Sequence, residues 1–177
     1  MTQRGVTQHG VPNASTLSEG WVLVLGGVTR VGNRRARREI RRAGEEGRDV
    51  VWFDGFCETV AETGERLAVE LKAGRLWIVD LRSAEETTLA GRLRLGTALR
   101  SNALSRFLWK VIGRRLGLLL RPRACWKVIR EDILSLRSSP QPQAIILGDD
   151  IAVTSAWYAG RLWPGSPITT DLPGSAS

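Results

Sequence analysis

The segment Trp21–Gly27, WVLVLGG, decides the predicted fold. A run of apolar residues that ends in two glycines is typical of a buried parallel strand followed by a tight turn. We predict a helix over residues 33–46, because apolar residues recur at i, i+4 and i+7 from Ala36. We interpret Asn33 as the N-cap of this helix and Gly47 as the residue that ends it.

The chain continues with alternating strands and helices. Asp49–Asp54 is a second predicted strand, which completes a unit of the size of one right-handed crossover. Further strands are predicted over Arg75–Asp80, Gln143–Leu147 and Pro167–Asp171, and helices over Ala103–Leu120, Trp126–Leu136 and Val153–Leu162. Phe56–Leu71 is either helical or irregular, and Ser83–Thr97 is charged and has no clear periodicity. The first two of these helices are expected to be separate, because Pro122 lies between them. The alternation predicts an α/β fold, a Rossmann-like and mostly parallel sheet flanked by helices.

We divide the chain into a flexible leader over residues 1–19, one domain over residues 20–172 and a polar tail over residues 173–177. The leader has no apolar core of a signal peptide, and no apolar run reaches the length of a membrane-spanning helix. The expected location is therefore the cytoplasm.

Charge and rare residues limit the classes of function. The net charge is +8, and 23 of the 26 basic residues are arginines. This bias reflects either GC-rich coding or an anionic partner such as a phospholipid, a phosphorylated substrate or nucleic acid. The chain shows no sequence motif of nucleic-acid recognition, so nucleic acid is not expected.

Histidine and cysteine chemistry is largely excluded. His9 is the only histidine and lies in the leader, while Cys57 and Cys125 are the only cysteines. This composition argues against a histidine metal site, a disulfide scaffold and a serine–histidine or cysteine–histidine nucleophile. Catalysis would rest on carboxylates, arginines, backbone amides or a bound cofactor.

Ligands of parallel α/β sheets bind at the carboxyl ends of the strands. The candidates at predicted strand ends are Gly26, Gly27, Asp54, Gly55, Asp80, Gly148, Asp149, Asp150 and Asp171. Glycines after a strand let the backbone approach a phosphate, and the N-terminus of the next helix attracts an anion. Asp54 has the position expected of a carboxylate that binds a ribose.

This opening resembles that of short-chain dehydrogenases, which implies NAD(P) binding. Arg30, however, stands where their middle glycine lies, and Tyr158 is followed by Arg161 and Leu162 rather than by the lysine of a Tyr-x-x-x-Lys motif. NAD(P) binding therefore stays an alternative.

A second resemblance is to retaining glycosyltransferases of family 4, which have the GT-B fold. Their first helix begins Asp-x-Arg-Val-x-x-Glu, and a Gly-His-Asp/Glu-Val turn follows. The corresponding segments are Asn33–Glu39 and Gly47–Val50, with Asn33 for the aspartate and Arg48 for the histidine.

The same family often shows a strand ending His-Ala-His-Asp, a helix with Ala-Ala-Trp and Ala-Arg-Leu, and a Gly-x-Pro turn. The corresponding segments here are Pro142–Asp150, Thr154–Leu162 and Gly165–Asp171. Asp150 aligns with the family's aspartate, whereas Leu147 and Asp149 stand where its histidines usually lie.

The resemblance covers residues 20–55 and 140–172, and it implies the N-terminal, acceptor-side domain of a GT-B glycosyltransferase. The complete enzyme would transfer a sugar from a nucleotide-sugar donor to a glycan or lipid-linked acceptor, without a metal. Gly26 and Gly27 would approach the donor diphosphate, Arg30 and Arg35 would assist by charge, and Asp150 would line the acceptor side.

No catalytic residue is identified from the resemblance. A donor-binding domain with a Glu-x7-Glu segment is expected outside these 177 residues, for instance on a separate chain, so this chain is expected to be incomplete alone.

Leu104–Arg130 separates an apolar face from a basic one, which is typical of an interfacial membrane helix. It predicts a peripheral position on the inner face of the plasma membrane, and a non-catalytic module that binds anionic membranes is an alternative function. A helix that packs on the sheet with an arginine edge explains the same pattern.

Overall fold

The computed structural model describes residues 6–26, 30–54, 74–80 and 114–173. The strands are β1 Val6–His9, β2 Val22–Gly26, β3 Val50–Asp54, β4 Arg75–Asp80, β5 Ala144–Leu147 and β6 Ile168–Thr169. The α-helices in these ranges are α1 Arg30–Glu45, α2 Arg114–Ser135 and α3 Val153–Leu162. Short 3₁₀ helices cover Ala14–Thr16, Leu136–Ser138 and Asp150–Ala152.

All six strands pair in parallel, in the order β1-β4-β3-β2-β5-β6. From β2 the chain builds outward through β3 and β4, and then returns to the other side of β2 to form β5 and β6. The direction of winding therefore reverses between β2 and β5, and such a switch point is where doubly wound sheets form their ligand crevice. The prediction of an α/β fold with a Rossmann-like parallel sheet is confirmed.

Helices cover both faces of the sheet, and this explains the continuous apolar runs of the central strands. Val22 and Val24 of β2 lie in one cluster with the Ala36, Ile40 and Ala43 stripe of α1. On the other face, the intervening leucines of β2 lie in one cluster with residues of α2 and α3. That cluster includes Leu23, Leu25, Ile129, Ile133, Ala156 and Ala159.

Trp21 joins the start of β2 to the start of β5. Its side chain is fully buried, and the indole Nε1–H donates a 2.6 Å hydrogen bond to the carbonyl oxygen of Pro140. The ring also meets Trp163 edge to face, with 5.6 Å between the centroids. The backbone N–H of Gln143 donates to the Trp21 carbonyl oxygen at 2.8 Å, so β5 enters the sheet beside β2.

The prediction for the start of the first helix is wrong, and that for its end is confirmed. α1 begins at Arg30, so Asn33 lies within the helix and is not its N-cap. At the other end Gly47 has a φ of +73°, and the N–H of Arg48 donates to the carbonyl oxygen of Ala43 at 2.9 Å. This is the Schellman arrangement, in which glycine takes the left-handed position after the last turn.

Two predictions about the second half of the chain are corrected. α2 runs through Pro122 without a break. The fixed φ of proline is compatible with a helix, and the lost hydrogen bond and the clash of its ring with the carbonyl four residues earlier disfavour a helix without forbidding it. β6 comprises only Ile168 and Thr169, whereas a strand over Pro167–Asp171 was expected. No strand is predicted from the sequence at the position of β1, which lies within the segment interpreted as a flexible leader.

Several predictions concern residues outside the described ranges: those for Gly27, Gly55, Phe56–Leu71, Ser83–Thr97 and the first part of the helix predicted over Ala103–Leu120. Within the described ranges, none of the helices has the length and apolar composition needed to cross a membrane.

Candidate functional site

The strand register brings three of the predicted strand-end residues to one edge of the sheet. Gly26 at the end of β2 pairs with Asp54 of β3, and Asp54 pairs with Asp80 of β4. On the other side of β2, the N–H of Gly148 donates to the carbonyl oxygen of Leu25 at 2.8 Å. The loop that follows β5 therefore begins directly beside Gly26.

Gly26 is in close contact with this loop. Its φ is +99°, a conformation that side chains rarely adopt. A Cβ atom at this position would lie 2.9 Å from Oδ1 of Asp149 and 3.3 Å from Cβ of Ala152. Only glycine fits here without displacing the Asp149 carboxylate.

Gly32, in the first turn of α1, approaches the same carboxylate from the helix side. A Cβ atom on Gly32 would lie 2.7 Å from the carbonyl oxygen of Gly148 and 2.9 Å from Oδ2 of Asp149. The Asp149 side chain therefore lies between Gly26 and Gly32. Together these three residues form the centre of the candidate site, which we call the switch-point cleft.

The position of Asp149 determines which ligands the cleft favours. The first turn of a helix carries partial positive charge, and in dinucleotide-binding folds this is where a phosphate group lies. Here a carboxylate already lies against that turn, so a diphosphate in the same place would meet a like charge. The arrangement therefore disfavours an anionic group against the first turn of α1.

Asp54 is fully buried, so its carboxylate has no exposed surface with which to meet a ligand in this structure. Two residues before it, the Nε1–H of Trp52 donates to the carbonyl oxygen of Gly26 at 3.0 Å. Trp52 and Asp54 are thus buried residues that pack beside Gly26 and are not exposed in the cleft.

The other predicted site residues lie around this centre. Asp150 is exposed and opens the 3₁₀ helix that leads into α3. Arg35 is half-buried on α1, and Arg30 is the first residue of that helix. The structure thus brings Gly26, Asp54 and Asp149 together, with Asp150 adjacent along the chain.

Glu39, part of the motif on α1, holds the segment after β6. Its buried carboxylate accepts hydrogen bonds from the Leu172 backbone N–H at 3.0 Å and from Nε of Arg38 at 2.7 Å. Arg38 also pairs with Asp171, one of the predicted strand-end carboxylates. Both acidic residues therefore fix the end of the domain to α1.

Sequence reasoning missed a groove between α2 and α3. It is lined by Trp126, Arg130, Leu134, Tyr158, Arg161 and Leu162. The signal lay in the helical spacing, because three of these residues recur every four positions on α2. The pairing of the two helices could not be deduced from that spacing alone.

Among the described residues, no group of three or more histidine, cysteine, aspartate or glutamate side chains is placed to hold a metal ion. No protein-family model, curated protein sequence or solved structure matches this chain. What the coordinates define is a Rossmann-like α/β domain with a carboxylate at the switch point of its sheet.

Gly32→Ala tests the close approach of α1 to the loop after β5. An alanine inside a helix is normally favoured over glycine by about 1 kcal/mol. Here the added methyl group would overlap the Gly148 backbone, so we expect the free energy of unfolding to fall by about 1–3 kcal/mol. Urea denaturation of the variant and of Arg34→Ala, an exposed control in the same helix, measures this. A gain in stability would show that the loop moves freely.

Proposed function

We propose that this chain is the acceptor-side domain of a GT-B glycosyltransferase resembling family 4, and that its switch-point cleft binds a sugar acceptor. The observation that carries the proposal is the Asp149 carboxylate, held between Gly26 and Gly32 at the first turn of α1. The parallel strand order of the sheet is compatible with such a domain.

The chemistry of the cleft supports a polyhydroxylated ligand. Oδ1 of Asp149 is buried, so this carboxylate offers a sugar hydroxyl group at most its other oxygen, Oδ2, as a hydrogen-bond acceptor. Asp150 follows directly in the chain and is exposed, so a second carboxylate is within reach of solvent. Glycan and lipid-linked acceptors both present such hydroxyl groups.

The nucleotide-sugar donor requires positive charge at its binding site, because its diphosphate is anionic. In the proposed enzyme a second domain holds the donor, and the resemblance to family 4 assigns Arg35 of α1 to assist by its charge. We therefore expect the chain by itself to bind acceptor sugars without transferring a sugar to them.

Saturation-transfer NMR with glucose, mannose and N-acetylglucosamine tests the proposal, each at millimolar concentration. We expect at least one sugar to bind, and we expect Asp149→Asn and Asp150→Asn to weaken that binding by about tenfold, because charge-assisted hydrogen bonds are lost. Glu131→Gln on α2 is the control, since Glu131 is an exposed carboxylate outside the cleft. Equal weakening by the control variant would contradict the proposed site.

Asp54 supports the NAD(P) alternative, because it is the last residue of β3 and pairs with Gly26 at the end of β2. Its complete burial and the neighbouring Asp149 carboxylate weigh against that alternative. A fluorescence titration with NADH separates the two functions. Micromolar NADH binding that Asp54→Asn abolishes, without sugar binding, would replace the glycosyltransferase proposal.

A further inference from the structure

The groove between α2 and α3 has a volume of about 480 Å³ and is open to solvent. This volume falls within the usual range for small-molecule sites. None of its lining residues belongs to the switch-point cleft. A ligand bound here would therefore be distinct from the proposed acceptor.

Aromatic and aliphatic side chains form one part of the groove. Trp126 of α2 and Tyr158 of α3 are stacked, with ring centroids 4.3 Å apart and an angle of 7° between the planes. Trp157 meets Tyr158 edge to face at 4.8 Å. Leu134 and Leu162 add aliphatic surface on either helix. A flat or aliphatic body could bury apolar area here.

Two arginines form the polar part of the groove. The Arg161 guanidinium lies 4.9 Å from the centre of the Trp157 ring, a cation–π contact that holds the group in place without neutralising its charge. Arg130, on the facing helix, is exposed. In the described part of the chain, no carboxylate lies within ion-pair distance of either guanidinium.

Other arginines of the protein differ in this respect. Arg38, Arg48 and Arg75 each pair with a glutamate or aspartate. The groove thus places two cations, which pair with no carboxylate of the described residues, beside an apolar surface. An arginine pair is well suited to the oxygens of a phosphate group.

We propose that this groove binds a phosphate monoester carried on an aromatic or aliphatic body. The phosphate lies between Arg130 and Arg161, and the body lies against the Trp126–Tyr158 pair and the two leucines. Both a soluble metabolite and a lipid headgroup offer this chemistry. The proposal does not depend on the function proposed for the switch-point cleft.

Isothermal titration calorimetry with 1-naphthyl phosphate tests the proposal on the full chain. Inorganic phosphate and 1-naphthol supply the two halves of that probe separately, and we expect each half to bind at least about tenfold more weakly than the whole. Arg130→Gln and Arg161→Gln should each weaken binding of 1-naphthyl phosphate by roughly 10- to 100-fold, because each removes a charge-assisted contact. Arg161→Lys, which retains the charge, should weaken binding of 1-naphthyl phosphate less than Arg161→Gln does.

Arg34→Gln is the matched control, because it removes the same charge from an exposed position on the opposite face of the sheet. Phosphate binding as tight as that of 1-naphthyl phosphate would overturn the proposal, and so would equal weakening by Arg34→Gln or the absence of any binding. Vesicles containing phosphatidate distinguish the sources. Competition with the bound probe assigns the site to a lipid headgroup, and its absence assigns the site to a soluble phosphate.

Discussion

Gly74→Ala should lower the free energy of unfolding by about 4 kcal/mol, the sum of a strained backbone and a steric overlap. Gly74 lies directly before β4 with a φ of +89°. A Cβ atom there would lie 2.2 Å from the carbonyl oxygen of Arg48 and 2.9 Å from its carbonyl carbon. Because both are backbone atoms, no side-chain rotation can relieve the overlap.

The backbone near Arg48 has little freedom to move. The Arg48 N–H closes the C-terminal cap of α1, and the carbonyl oxygen of the next residue, Asp49, accepts a 2.8 Å hydrogen bond from the Val22 N–H. A shift of Arg48 would therefore disturb both the end of α1 and the pairing of β2 with β3.

Urea denaturation followed by tryptophan fluorescence measures the effect, and Gly10→Ala separates its two causes. Gly10 has a φ of +102°, yet a Cβ atom there would have no atom of the described residues within 4 Å. We expect Gly10→Ala to show the backbone strain alone, about 1–2 kcal/mol. Equal losses in the two variants would show that the contact with Arg48 contributes nothing.

The elements that the sequence predicted best are those with a strong local pattern. β4 and α3 have the predicted bounds, Arg75–Asp80 and Val153–Leu162. The apolar run Trp21–Leu25 predicts a strand that differs from β2 by one residue at each end. Trp21 is buried as fully as a strand residue but lies just outside the ladder, whereas Gly26 pairs with Asp54. In each case neighbouring residues along the chain carry enough information to define the element.

The errors arose where distant contacts decide the structure. β1 has only four residues, and three of them are polar, so pairing with β4 and not hydrophobic periodicity defines it. Asn33 is a good N-cap residue in isolation. It lies 6% exposed within α1 because the helix begins a full turn earlier.

Part of the candidate site could likewise be predicted from local sequence, and part depends on contacts between distant residues. Carboxylates at strand ends could be predicted, since the carboxyl ends of parallel strands share one edge of a sheet. That Asp149 lies between Gly26 and Gly32 depends on how closely α1 approaches β5, which no local pattern encodes. The groove between α2 and α3 likewise requires two helices to pack side by side.

Arg75→Met should lower the free energy of unfolding by about 3 kcal/mol at neutral pH, because it leaves a buried carboxylate without its counter-charge. Asp49 is 5% exposed at the side chain. Its Oδ2 accepts hydrogen bonds from Arg75 at 2.8 Å and from the Ser18 backbone N–H at 2.9 Å, and Nε of Arg75 donates to Oδ1 at 3.2 Å. The network joins the segment before β2 to β3 and β4.

The loss should depend on pH with a defined sign. Burial raises the pKa of Asp49, but the hydrogen bonds from Arg75 and Ser18 outweigh it and hold the pKa below its ordinary value. In the wild-type chain this carboxylate therefore contributes stability above a pH of about 4, and the contribution is lost as the pH falls through the lowered pKa. In Arg75→Met the lowering contribution of the guanidinium is lost, so the pKa of Asp49 rises above its wild-type value and acidification neutralises the unpaired charge at a higher pH.

The difference in unfolding free energy between wild type and Arg75→Met should consequently shrink as the pH falls from neutral to about 3. Taking the difference cancels the titration of carboxylates that both proteins share. Arg137→Met, which removes an exposed arginine after α2, should show a small difference at every pH. Arg75 also lies over the Trp77 ring at 5.0 Å. A large loss in Arg75→Met that stays constant with pH would therefore assign the effect to this packing and not to the charge of Asp49.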